Sequence, residues 1–109
     1  MTKFAKIISS GSYLPERVLT NKELEDIVDT SDNWITERTG IKERRVSSKD
    51  ETSLDMAYLA SIDALNKSSI NKDDIGAIFL ATCTPERKFP STAVLLQNRL
   101  NIKNAFSLD

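Results

Sequence analysis

Seven successive residues, Ala77-Ile78-Phe79-Leu80-Ala81-Thr82-Cys83, run with almost no polar interruption. A strand with one wet face alternates apolar and polar positions, whereas an unbroken run suits a parallel strand covered on both faces. Parallel strands must be joined by crossover segments, usually helices. This one segment therefore directs the chain towards an α/β architecture, and the flanking sequence agrees. Thr52 caps a helix with Asp55 three residues later, and Leu54, Tyr58, Ile62 and Leu65 share one helical face. After the run, Pro90 suits the first turn of a helix reaching about Leu100, and Ala105 to Leu108 reads as a second strand. Tyr58 and Phe79 are expected in the core.

The first half is punctuated differently. Phe4 to Leu14 reads as a first strand running into a loop, ended by Gly11 and Pro15. Thr20 and Glu23 form a capping box, with Leu19 and Leu24 at hydrophobic-staple spacing, for a short helix ending near Val28. A second helix is expected from Thr30 or Ser31 to a stop at Gly40, with Asp32 favouring its positive end. Ile41 to Val46 reads as extended and solvent-facing, Ser47 to Glu51 as a polar loop, and Asn71 to Asp74 as a turn. The order strand, helices, strand, helix, strand predicts crossover connections. So few strands leave an edge and one face uncovered, so the chain is not expected to be a stable lone monomer. A further crossover element is expected after Asp109.

The composition excludes several kinds of chemistry. With no histidine and one cysteine, the chain lacks the commonest general base and offers no metal site. The three glycines, Gly11, Gly40 and Gly76, are too dispersed for a phosphate loop. A net charge of -1 gives no bulk attraction to nucleic acid or an anionic membrane. No apolar stretch approaches the ~20 residues of a membrane helix. Met1-Thr2-Lys3-Phe4 does not open a secretory signal, and the single cysteine makes no internal disulfide, so the expected compartment is the cytoplasm.

Trp34 and Arg38 are four apart and share a helix face. A flat aromatic and a cation held together can grip a nucleobase and its phosphates, with Thr30 and Thr39 placing hydroxyls nearby. The plain alternative is a buried tryptophan beside a solvated arginine. Cys83 has no neighbouring base to activate it and reads as packing or as a partly exposed strand-end thiol. Glu43-Arg44-Arg45 reads as a solvated charged strand edge, with a carrier-protein or phosphate contact as the alternative.

The string Asp29-Thr30-Ser31-Asp32-Asn33-Trp34-Ile35-Thr36-Glu37-Arg38-Thr39-Gly40-Ile41, continued to Arg45, resembles the opening region of the β-ketoacyl-acyl-carrier-protein synthase III family. The likeness extends to Gly11-Ser12-Tyr13-Leu14-Pro15, to Phe89-Pro90-Ser91-Thr92-Ala93 and to Ala105-Phe106-Ser107-Leu108-Asp109. It implies an α/β class, with residues 1–109 forming the N-terminal part of a thiolase-like layered αβαβα fold, incomplete in this chain. By the same resemblance, Trp34 stacks on the adenine of coenzyme A, Arg38 packs on the adenine's other side, and Thr30 and Thr39 line that site. Phe89 would shape the acyl pocket of the partner in a homodimer, against which the helix from Pro90 to Leu100 would lie.

The implied reaction joins an acyl-coenzyme A starter to malonyl-acyl carrier protein with decarboxylation, initiating fatty-acid synthesis. Acyl-coenzyme A enters as a substrate, and no cofactor is implied. The family's nucleophilic cysteine falls a few residues beyond Asp109, and its histidine and asparagine come later. No catalytic residue is therefore expected in this chain, and the chain by itself is expected to be inactive. Two alternatives stay open: a synthase loading a different starter for polyketide or other secondary products, and a non-catalytic binding or dimerisation module.

Overall fold

Most helices lie where short-range signals place them, while the strands follow the sequence less closely. The computed structural model describes all 109 residues, which divide into two units. One is Leu14–Asp50, termed here the hairpin unit; the other joins Met1–Tyr13 to Glu51–Asp109 and is termed the crossover unit. No helix is long and apolar enough to cross a membrane.

In the hairpin unit, β1 (Arg17–Thr20) pairs antiparallel with β2 (Glu43–Val46), Arg17 opposite Val46 and Thr20 opposite Glu43. Between them lie α1 (Asn21–Glu25) and α2 (Asp32–Thr39). The expected capping box forms. The Thr20 hydroxyl accepts from the Glu23 N–H at 3.2 Å, and the Glu23 carboxylate accepts from the Thr20 N–H at 2.9 Å. Gly40 ends α2 in the left-handed conformation at φ 72°, where its N–H donates to the Thr36 carbonyl. β2 lies within the extended segment expected from the sequence. β1 was not foreseen, because Arg17–Thr20 carries no alternating apolar pattern and is a strand only by pairing with β2.

In the crossover unit, α3 (Ser53–Asn66) starts at a Thr52/Asp55 capping box. A 3-10 turn at Lys72–Asp74 leads to β3 (Ala77–Phe79). α4 (Thr92–Leu100) then crosses to β4 (Phe106–Leu108), parallel to β3 with Ile78 opposite Ser107. The core is Leu96, Leu100 and Ile102, against which the α3 residues Leu54, Tyr58, Ile62 and Leu65 and the strand residue Ile78 pack. Tyr58 is thus core-facing, as expected from its helical spacing.

Three expectations for this unit are corrected. The Ala77–Cys83 run is a strand only to Phe79, and one of its faces is open. Phe79 is 70% exposed and meets Phe106 edge-to-face at 5.5 Å on that open face. The apolar run reports what the strand's surface is suited to, but only neighbouring chain can cover it. Phe4 to Leu14 forms no strand: Phe4 and Ile7 are exposed. Its polar groups go to α3 instead of a strand edge, Ser9 Oγ donating to the Ala64 carbonyl at 2.7 Å and Ser12 N–H to Asp63 at 3.0 Å. Finally, α4 begins one residue after its N-cap, Ser91, so Pro90 precedes the helix instead of opening it.

Candidate functional site

α2 carries the group of residues singled out by the sequence, and its ends are held by local chemistry. The Ser31 hydroxyl accepts from the Trp34 N–H at 3.1 Å, satisfying a donor that the first turn leaves free. The Asp32 N–H donates to Glu25 Oε1 at 2.6 Å. Ile35 is buried and turns one face of α2 inward. Trp34, about 100° round the helix from it, is 54% exposed, so the plain alternative of a buried indole does not apply. The Arg38 guanidinium lies over the indole, 5.3 Å from its centroid, a cation–π arrangement.

Beside the indole is an open hollow of about 350 Å³ lined by Asp29, Thr30, Ser31 and Trp34. Thr30 and Trp34 are thus brought together, with Arg38 against the ring. Thr39 is not available in the same way. Its hydroxyl donates to the Ile35 carbonyl at 2.7 Å and accepts from the Ile41 N–H at 3.0 Å. Both bonds serve the exit of α2, so Thr39 shapes the backbone there. Asp29 and Ser31 line the hollow as well, Ser31 beside its part in starting the helix. The surface offers an exposed ring, a cation and a hydroxyl-lined recess, which suits a planar heterocycle carrying anionic groups.

Glu43 and Arg45 lie on the exposed strand edge expected, while Arg44 is half-buried. Arg45 Nη1 donates to the Pro15 carbonyl at 2.9 Å, and Arg44 Nη2 to Asn21 Oδ1 at 2.7 Å. Arg45 thus satisfies a backbone carbonyl outside regular structure, and Arg44 a buried side-chain amide.

The second group lies in the crossover unit. Phe89 is 88% exposed in the loop before α4, and its bond to Pro90 is cis. Two carboxylates hold the start of α4 beyond it. Asp109 accepts from the N–H groups of Thr92 and Ala93 at 2.7 and 2.6 Å, which places a negative charge at the positive end of the helix. Glu86 accepts from the Thr92 hydroxyl at 3.3 Å and from the Leu54 N–H. Burial pushes the Glu86 carboxyl up, but these hydrogen bonds outweigh it and hold the group below its ordinary value. Neither carboxylate was singled out in the sequence, since each partner lies in another element. Cys83 is exposed beyond the end of β3, the second of the two readings given to it. No group of histidine, cysteine and carboxylate side chains is arranged to hold a metal.

No family model matches the chain. It is 49% identical over 107 residues to the β-ketoacyl-[acyl-carrier-protein] synthase III of Ehrlichia chaffeensis, covering 98% of this chain and 34% of that protein. The crystal structure of 3-oxoacyl-[acyl-carrier-protein] synthase III from Aquifex aeolicus superposes with a TM-score of 0.83 at 52% identity, over 94% of this chain and 34% of that one. The priming β-ketosynthase of the R1128 polyketide pathway superposes at 0.84 with 34% identity, over 93% and 30%. The chain thus spans about a third of the length of the relatives it matches. Over that span the resemblance to synthase III holds along nearly all 109 residues, and the fold is the corresponding part of the thiolase-like α/β fold.

Proposed function

We propose that this chain is part of a decarboxylative condensing enzyme of the synthase III kind, an acyltransferase that joins an acyl-coenzyme A starter to malonyl-acyl carrier protein. The observation that carries the reading is the exposed Trp34 with Arg38 against its ring and Thr30 in the adjoining hollow. Leaving a large ring in water forgoes roughly 25 cal/mol per Å² of buried apolar area. Stacking on the adenine of coenzyme A recovers it. Adenine is taken between Trp34 and Arg38, so Arg38 must leave the ring to admit it. The contact it gives up, worth about 0.5–1 kcal/mol at an exposed site, is subtracted from what it gains on the base.

In this reading the chain binds and orients the nucleotide end of the substrate and contributes no nucleophile. Cys83 has no base beside it and takes no part. Phe89, exposed at the head of α4, extends across a two-fold homodimer to shape the partner's acyl pocket. The compartment is the cytoplasm, and neither nucleic acid nor a membrane is a partner. The likeness to a priming β-ketosynthase favours one second reading, a synthase that loads a polyketide starter. Turnover with short straight-chain against branched or longer starters separates the two.

The test is calorimetric titration of coenzyme A into the longer enzyme. Trp34→Ala is expected to weaken binding by about 1–3 kcal/mol, the range for an aromatic–base stack. Arg38→Ala is expected to weaken it less, with a loss that grows at low salt if the guanidinium reaches phosphate. Unchanged affinity in both variants, with the fold intact, overturns the proposal.

A further inference from the structure

Asn21 is the most completely enclosed polar side chain of the hairpin unit, 1% exposed, at the first position of α1. Its amide nitrogen donates to Asp32 Oδ1 at 2.8 Å and to the Ile41 carbonyl at 2.7 Å, with Thr36 Oγ1 at 3.3 Å. Its amide oxygen accepts from Arg44 at 2.7 Å, and its backbone N–H donates to the Lys42 carbonyl at 3.1 Å. Every donor and acceptor of the amide is used. The opposite orientation of the amide would set its oxygen against a carboxylate and a carbonyl.

These partners map onto α2 in a telling way. Asp32 and Thr36 are one turn apart on the helix, and Ile41 follows its exit, so Asn21 holds α2 at its start, its middle and its end. At about 100° per residue, Asp32 and Thr36 occupy the side of the helix away from Trp34 and Arg38. Arg44 then ties the same amide to β2. α2 has eight residues and one buried apolar side chain, too little apolar packing to fix its rotation. A buried network whose members are all satisfied supplies that rotation, because any turn of the helix breaks several bonds at once.

We infer that Asn21 is the positioning residue of the nucleotide mouth, setting the angle at which α2 presents Trp34 and Arg38. The inference rests on the mouth proposed above. Asn21→Asp keeps the shape and the acceptor for Arg44, but places a carboxylate against Asp32 and the Ile41 carbonyl.

In the longer enzyme, Asn21→Asp is expected to raise KM for acyl-coenzyme A and the coenzyme A dissociation constant about tenfold, the scale of a displaced binding group. kcat and KM for malonyl-carrier protein should stay within about twofold. A merely structural lesion does the reverse: it lowers the active fraction, and so apparent kcat, without moving one KM alone. The double change Asn21→Asp with Asp32→Asn exchanges donor and acceptor, and is expected to recover part of the affinity.

If Asn21→Asp does not fold, Asp32→Ala decides, since Asp32 is exposed and its side chain fills no core space. It should weaken coenzyme A binding in the same direction by about threefold. Weakened binding in Trp34→Ala beside unchanged binding in the Asn21 and Asp32 variants overturns the inference alone. Unchanged binding in Trp34→Ala overturns the mouth, and the inference with it.

Discussion

The two units are stabilised by opposite means. The hairpin unit has one buried apolar side chain among those of its helices, Ile35, and its enclosed centre is an amide, Asn21. Caps, arginine-to-carbonyl bonds and the Asn21 network hold it. The crossover unit has a connected apolar cluster around Leu96, Leu100 and Ile102, yet leaves Phe79, Phe106 and Leu108 on an open sheet face. Directional bonds fix the orientation of a short helix and so suit a recognition surface. Apolar packing is not directional and suits a scaffold that buries more surface as more chain is added.

The sharpest way to break this comparison is a cavity in the crossover unit. Leu96 is 5% exposed, and Leu96→Ala is expected to cost about 2–5 kcal/mol. Hydrogen exchange should show the loss first in α3, α4 and the β3–β4 pair. Equal loss of protection in β1, β2 and α2 would mean that the units do not unfold separately.

One substitution made in each unit gives a smaller effect by two mechanisms. A Cβ at Gly11 would lie 2.2 Å from the Ala60 carbonyl oxygen and 2.3 Å from the Ala64 backbone nitrogen. Gly11→Ala must push the N-terminal segment off α3, at about 1–3 kcal/mol. Gly40→Ala meets no atom within 4 Å but must hold φ at +72°, which costs about 1–2 kcal/mol. Thermal denaturation of both variants checks the order, and a larger effect at Gly40 would reverse it.

Acid separates the units least. The Thr52 hydroxyl and then the Arg99 guanidinium hold Asp55 well below the carboxylate range, and Lys67 and then the Ser12 N–H lower Asp63. Both lie in the crossover unit; in the hairpin unit the lowered carboxyl is Glu23, through the Thr20 N–H and hydroxyl. A carboxyl lowered by folding stabilises at pH above its unfolded value, about 3.9–4.3, and the contribution disappears as pH falls through the folded value. Stability is therefore expected to be flat from pH 7 to about 5 and to fall below about 4, by more in the crossover unit, which holds more of the lowered carboxyls. Asp55→Asn should flatten that fall, and an unaltered acid limb would remove Asp55 from the account.

Much of the helical structure and the heart of the site were legible in the sequence. Thr20 with Glu23, Thr52 with Asp55, and Gly40 each act on backbone groups three or four residues away, so reading them needs no fold. Trp34 and Arg38 were legible for the same reason, as two residues one helical turn apart. Phe79 misled because hydrophobicity states what a surface favours and not what covers it. Thr39 lies on the same helix, but the sequence could not show that its hydroxyl closes the exit of α2.

What the tertiary structure alone decided is what depends on distant partners. β1 exists because β2 lies beside it, and the N-terminal segment is no strand because no strand pairs with it. Asn21 looks like any polar residue at a helix start until Asp32, Ile41 and Arg44 converge on it from 11, 20 and 23 residues away. Short-range chemistry sets which segments turn into helices. Where a side chain's hydrogen bonds end is settled only once the chain has folded, because each bond needs a partner that local sequence does not specify.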